Sequence, residues 1–209
     1  MKTGVIQKYR ERLPLTKATP DLSLGEGDTP LVKSVHIGNM LGCAELYFKL
    51  EGCNPTGSFK DRGMVVAVAK AAENRTNGII CASTGNTSSS AAAYGAIAKI
   101  PTIVIVPEGK TSTSKLAQAN MYGAKVVMID AGFDQALELC LEISKTKSLT
   151  IVNSINTDRL HGQKTAAFEV VESLEDAPDI LSIPIGNGGN FSSYWLGFTE
   201  ARKAGLAST

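Results

Sequence analysis

The chain is poor in the residues that mark several common functions. Aromatic residues make up 6% of it and its charges nearly cancel, 21 basic against 20 acidic, with no basic stretch. A nucleic-acid partner, which needs a basic stripe or stacking aromatics, is therefore not expected. Only two histidines occur, His36 and His161. The four cysteines, Cys43, Cys53, Cys81 and Cys140, form no C-x-x-C pair. That spacing does not suit a zinc site, and no metal is expected. Cys81 and Cys140 sit in apolar runs and read as reduced core residues. No run is long and apolar enough to span a bilayer, so no membrane partner is expected. The start, MKTGVIQKYRERLP, lacks the apolar stretch of a signal peptide. The expected location is the cytoplasm.

What is present is a strand and helix alternation. Apolar β-prone runs occur at 46–50, 78–82, 102–106, 125–129, 149–152 and 180–185. Helical spacing fills 58–73, 87–99, 114–121, 133–145, 159–174 and 191–203. Runs such as TIVIV and KVVMI do not alternate, which suits strands covered on both faces. The expected fold class is α/β with parallel sheets. Sheets of this kind bind ligands on the loops that leave the carboxyl ends of their strands.

Three such loops carry unusual residues. The first, EGCNPTGSFKDRG, leads into a helix and places Lys60 in its first turn, where the helix dipole disfavours a cation. A lysine there is either an amine nucleophile or a solvated partner of Asp61. The second, ASTGNTSSS, holds Ser83, Thr84, Asn86 and Thr87 at a helix start. It reads as an anion nest or as ordinary capping by one serine. The third is Gly186-Asn187-Gly188-Gly189-Asn190, where glycines let the backbone approach a ligand and the helix behind favours a phosphate. It matches neither a dinucleotide fingerprint nor a Walker loop. A nucleophilic lysine, an anion nest and a phosphate cup together suggest a phosphorylated aldehyde cofactor.

These residues carry a resemblance. GEGDTPL, EGCNPTGSFKDRGM, ASTGNTSSSAAAYG, KLAQANMYGAKV, NSINTDRLHGQKTAAFEV and GNGGN with the following YW come in the order seen in the threonine synthase family. That family belongs to the fold-type II, tryptophan synthase beta-like group of pyridoxal-phosphate enzymes. The resemblance implies a two-domain fold, with 77–152 as a small α/β domain. Residues 1–76 and 153–209 would be part of a large one, with the cofactor between them. It implies a Schiff base between pyridoxal 5'-phosphate and Lys60, with Asn86 on the cofactor ring hydroxyl and Gly186 to Asn190 on its phosphate. Ser83, Thr84 and Thr87 would bind the substrate. Asn153, Ser154 and Arg159 would join Thr87 and Asn187 around a substrate phosphate. Arg159 otherwise reads as a surface arginine beside Asp158.

The implied reaction is that of a carbon–oxygen lyase in amino-acid biosynthesis. It converts O-phospho-L-homoserine and water to threonine and phosphate by β,γ-elimination and β-addition. The alternatives are a threonine dehydratase or cysteine synthase chemistry, or a non-catalytic cofactor-binding fragment that needs a partner chain. The resemblance also implies a homodimer. The chain ends sooner than the family's pattern, so a C-terminally truncated form is expected. Arg62 is expected to pair with Asp61 or Glu51. Lys164 is expected at a helix surface or in a loop contact, and Lys110 and Lys115 beside a loop that covers the cleft.

Overall fold

The structure, a computed structural model, describes residues 3–43, 45–107 and 113–208. Lys110 therefore lies outside the described residues. Helix α1 (Val5–Tyr9) comes first, followed by β1 (Leu31–Lys33), α2 (Ile37–Met40) and β2 (Tyr47–Lys49). Strands β1 and β2 pair antiparallel, Leu31 opposite Lys49 and Lys33 opposite Tyr47.

Regular alternation begins with α3 (Lys60–Glu73). It continues through β3 (Ile79–Ala82), α4 (Asn86–Ala98), β4 (Thr102–Pro107), α5 (Thr113–Met121), β5 (Lys125–Ile129), α6 (Phe133–Lys147) and β6 (Thr150–Ile151). These strands form one parallel sheet in the order β5-β4-β3-β6. All four residues of β3 are buried, as an unalternating apolar run between two helical layers requires. The chain then runs into α7 (Thr157–Gln163), α8 (Thr165–Leu174) and α9 (Gly189–Lys203).

Three expectations are corrected. The run at 180–185 forms no strand. Leu181 and Ile183 pack against Ala166, Ala167 and Tyr194, while Ile180 and Ile185 face outward. The alternation is that of a strand, but a strand needs a neighbour's N–H and C=O groups, and no described strand lies beside it. The single helix expected over 159–174 starts earlier and breaks at Lys164. Asn156 begins it, its Oδ1 accepting from the Asp158 N–H at 2.9 Å. At the break, Thr165 Oγ1 donates to the Gly162 carbonyl at 2.7 Å. Lys164 is turned inward, 2% exposed, with Nζ 2.8 Å from Glu200 on α9. It is a buried tie between helices rather than a surface lysine.

Helices α3 and α7 cross at two glycines. A Cβ on Gly63 would lie 2.6 Å from the Arg159 carbonyl oxygen, and one on Gly162 would lie 2.1 Å from that of Arg62. No side chain fits between the helices there. The first turns of both are thereby held together, and those turns carry Lys60 and Arg159.

The irregular N-terminal stretch is wired into this core. Glu26 is fully buried and accepts from the Val5 N–H (3.0 Å), the Leu24 N–H (2.9 Å) and the Tyr94 hydroxyl on α4 (2.9 Å). Asp28 N donates to Glu169 Oε1 at 2.7 Å. Gly27 N donates to Asn54 Oδ1 at 3.0 Å, in the loop before α3.

Candidate active site

Three consecutive residues open α3 and meet three different fates. Asp61 is fully buried and accepts from Thr56 N (2.7 Å), Thr56 Oγ1 (2.6 Å) and Ser90 Oγ (2.6 Å). It clamps the loop before α3 onto α4. Burial pushes its carboxyl up, against the pull of those hydrogen bonds. Arg62 does not pair with Asp61. It is forked between Glu51 (Nε to Oε2, 2.7 Å) and Glu169 on α8 (Nη1 to Oε1, 2.6 Å), and Lys49 closes the network on Glu169 at 2.6 Å. Burial would raise the Glu169 carboxyl, but the bonds and charges of Arg62 and Lys49 hold it down at about 2. With its two neighbours locked inside, Lys60 projects the other way.

Lys60 has no carboxylate partner among the described residues, and its Nζ lies 4.3 Å above the Phe59 ring. Burial, and after it the charge of Arg159, push its amine down to about 8. About a tenth is therefore unprotonated at neutrality, far more than in an ordinary lysine, and that is the form in which an amine is nucleophilic.

Arg159 is 1% exposed and does not pair with Asp158. Its Nη1 donates to the Val152 carbonyl at 3.1 Å and its Nη2 to Gln163 Oε1 at 3.4 Å, while Nε has no partner. Burial pushes its pKa down to about 10, so it stays charged at neutral pH. A buried guanidinium with neutral partners and an orphan N–H is costly unless an anion completes it.

Lys60, Ser154, Arg159, Leu160, Gln163, Asn187, Gly189 and Asn190 line one crevice. The glycine crossing of α3 and α7 supplies one wall and the start of α9 the other. Gly188 has φ 81°, a left-handed conformation that glycine adopts without strain, and Asn187 Oδ1 accepts from Gly189 N at 3.2 Å. Gly186 is exposed, with open space where a Cβ would stand. Six of the residues singled out from sequence thus meet here: Lys60, Ser154, Arg159, Asn187, Gly189 and Asn190.

The rest sit elsewhere. Ser83, Thr84, Asn86 and Thr87 surround the start of α4 and do not line the crevice. Ser83 Oγ accepts from Gly85 N and Ser88 N, both at 3.2 Å, so its hydroxyl is engaged at the helix start. Asn86 is exposed. The Asn153 amide bonds the Ala82 backbone twice, Oδ1 accepting from N (3.0 Å) and Nδ2 donating to O (2.8 Å). It prolongs the β6–β3 pairing by a side chain. Lys115 Nζ donates to the Thr56 carbonyl at 3.0 Å, which ties α5 to the loop before α3.

Two lining residues carried no role in the sequence reading. Gln163 joins Arg159 to Ser193 of α9, with Nε2 3.4 Å from Ser193 Oγ, and Leu160 packs beside Gly189. The signal for Gln163 was its place in the GQK string, one helical turn after Arg159.

Pyridoxal phosphate fits these residues in kind. It asks for an amine of depressed pKa and for backbone N–H groups at a glycine-rich helix start, and Lys60 and the loop before α9 offer both.

The comparisons with known proteins agree. The curated threonine synthase of Halalkalibacterium halodurans is 55% identical over 94% of this chain and 55% of its own length. That of Mycobacterium tuberculosis is 48% identical over 97% of this chain and 56% of its own. The chain thus spans about half the length of the curated relatives it matches. Among solved structures, maize serine racemase superposes with a TM-score of 0.73 at 26% identity, over 84% of this chain and 53% of that one. The threonine deaminase isoform 2 of Solanum lycopersicum superposes with a TM-score of 0.78 at 24% identity, over 99% and 56%, and shows the same fold. The sequence also matches the family described as pyridoxal-phosphate dependent enzyme over residues 22–207, so together with a fold and a lysine site that suit that cofactor, the chain belongs to this family.

Proposed function

We propose that this chain carries the lysine-bearing part of a threonine synthase acting on O-phospho-L-homoserine. The observation that carries the reading is Arg159, a buried cation with an unpartnered Nε in the same crevice as Lys60. A cofactor phosphate held by the loop before α9 accounts for one anion. Arg159 calls for a second, and a phosphorylated substrate supplies it. The identity of 48–55% to curated threonine synthases supports the same substrate.

Pyridoxal phosphate, when bound, supplies the electron sink that makes the substrate's α-hydrogen acidic. The protein residues do the rest. Lys60 fixes the cofactor and later takes and returns protons at the substrate's α-carbon. Backbone N–H groups of Gly186 to Asn190 hold the cofactor phosphate, and Asn86 its ring hydroxyl. Arg159, Ser154, Asn187 and Thr87 hold the substrate phosphate and stabilise its charge as it departs. Ser83, Thr84 and Thr87 take the substrate carboxylate. Asn153 belongs to this group through its neighbour, because its bonds to Ala82 fix where Ser154 begins.

The wider organisation goes with the same reading. Residues 77–152, which contain all four parallel strands, form a small domain, and 1–76 with 153–209 form part of a larger one. The assembled protein is a cytoplasmic homodimer, a state that light scattering after size exclusion tests directly.

The deciding assay is threonine formation from O-phospho-L-homoserine with added pyridoxal phosphate. The whole protein makes threonine, its Lys60→Ala variant makes none, and its Arg159→Ala variant loses most of the rate. Dehydratase or cysteine synthase chemistry needs no second phosphate site. Full activity in Arg159→Ala would therefore reject the substrate assignment.

A further inference from the structure

We propose that Arg159 is a positioning residue for the proton on Lys60: a phosphate-class anion arriving on its guanidinium cancels the charge that faces Lys60 and makes that amine a stronger base. The inference rests on the reading that Lys60 and Arg159 serve one site. It goes further in making occupancy of one subsite set the protonation of the other.

The geometry leaves little room for another arrangement. Gly63 and Gly162 bring α3 and α7 into backbone contact, so the Lys60 and Arg159 ends cannot drift apart. Both side chains line the same crevice. The guanidinium is buried behind Val152 and Gln163, and its charge is poorly screened.

Among the described residues no other charge competes. On α3, Asp61 is turned toward Thr56 and Ser90, and Arg62 toward Glu51 and Glu169. On α7, Asp158 lies in the field of Lys70, His161 and Glu73, and His161 in that of Lys164, Glu200 and Asp158. On α5, Lys115 is anchored on the Thr56 carbonyl. Residues 186–190 at the start of α9 and 86–90 at the start of α4 are uncharged. Arg159 is accordingly the one charge that acts on the Lys60 amine, after the effect of burial, among the described residues.

The consequence is an ordering of roles. With Arg159 bare, Lys60 is partly unprotonated and serves as a nucleophile toward an aldehyde. With an anion on Arg159 it holds a proton more tightly, as the acceptor of a carbon-bound proton should. Departure of the anion resets it.

The test reads the amine itself. The protein without cofactor is treated briefly with acetic anhydride from pH 6 to 10. The free amine attacks one carbonyl, acetate leaves and the amine proton passes to buffer. Mass spectrometry then gives the acetylated fraction at Lys60. The rate should rise with a midpoint near 8. Inorganic phosphate, compared with potassium chloride at equal ionic strength, should move that midpoint up by about one pH unit. Arg159→Gln should move it similarly without phosphate and abolish the phosphate effect, whereas Arg159→Lys keeps the charge and the low midpoint. Simple blocking of the reagent lowers the rate at every pH and leaves the midpoint in place.

A midpoint that phosphate moves no further than chloride does overturns the proposal. If Arg159→Gln does not fold, Gln163→Glu takes its place: a carboxylate set on the guanidinium should raise the midpoint without phosphate, and an unmoved midpoint overturns the proposal. Protection of Lys60 by pyridoxal phosphate is measured in parallel. If that protection is absent while the midpoint still shifts, the cofactor reading fails and the coupling stands.

Discussion

Gly162→Ala sets two well-known effects against each other. In a helix interior, alanine is favoured over glycine by about 1 kcal/mol, so propensity alone predicts a more stable protein. The crossing predicts the reverse. The new Cβ would stand 2.1 Å from the Arg62 carbonyl oxygen and 2.7 Å from the Gly63 Cα. A carbon approaches a carbonyl oxygen to roughly 3.3 Å, so α3 and α7 must part by about 1 Å. The atoms in the way are helix backbone, which cannot swing aside like the end of a side chain. The cost belongs at the upper end of overpacking penalties, about 3 kcal/mol. The net is a destabilisation of about 2 kcal/mol, read as a lower urea midpoint at unchanged slope by circular dichroism. Gly38→Ala is the control, since its Cβ would meet Leu46 Cβ and the Cys43 carbonyl oxygen at an ordinary 3.5 and 3.6 Å. Gly63→Ala together with Gly162→Ala should cost less than the two separately, because both methyls enter one gap. A Gly162→Ala protein as stable as its parent would refute the account of how Lys60 and Arg159 are held together.

Two further expectations concern stability. Glu169 has a folded pKa held down at about 2, below the ordinary glutamate value, so its contribution is complete above that ordinary value and lost as pH falls through the folded one. Acid unfolding followed by circular dichroism should thus draw on Glu169 between about pH 4.5 and 2. Glu169→Gln should be less stable at neutral pH and show a flatter acid limb; an unchanged limb would remove Glu169 from that role. Asn153→Ala deletes two buried hydrogen bonds to Ala82 and should cost about 2 kcal/mol. Hydrogen exchange at the Ala82 amide should quicken, and continued full protection there would contradict the side-chain pairing.

The centre of the parallel sheet was legible because burial on both faces leaves a mark in every residue of β3; KVVMI bears the same mark but forms the edge strand β5, with Lys125 and Met128 exposed, because no described strand covers its outer side. IICA, and IVIV within β4, are apolar throughout, and no turn-forming residue interrupts them. The loops were legible for a different reason: Lys60, the serines after Ala82 and the glycines before α9 are costly or idle in a purely structural loop. What escaped was pairing at a distance. The run at 180–185 has the right residues for a strand, but a strand exists only beside another, and a local pattern holds no information about its neighbour. Arg62 meets Glu169 across 107 residues, and neither position announces the other. The same holds for Gly63 and Gly162, two unremarkable glycines until α7 is laid on α3. Lys164 read as a surface lysine because nothing nearby in sequence shows Glu200 waiting on α9.

The burial of Glu26 bears on where this protein can be cut. The match to the family described as pyridoxal-phosphate dependent enzyme begins at residue 22, and a minimal fragment designed from that boundary would discard α1. It would also discard the Val5 N–H that the Glu26 carboxylate accepts from inside the core, and open the apolar seat now filled by Val5, Ile6 and Tyr9. The first residue of the family match and the first residue that the packing requires therefore fall at different places, and the second lies upstream, at the first helix.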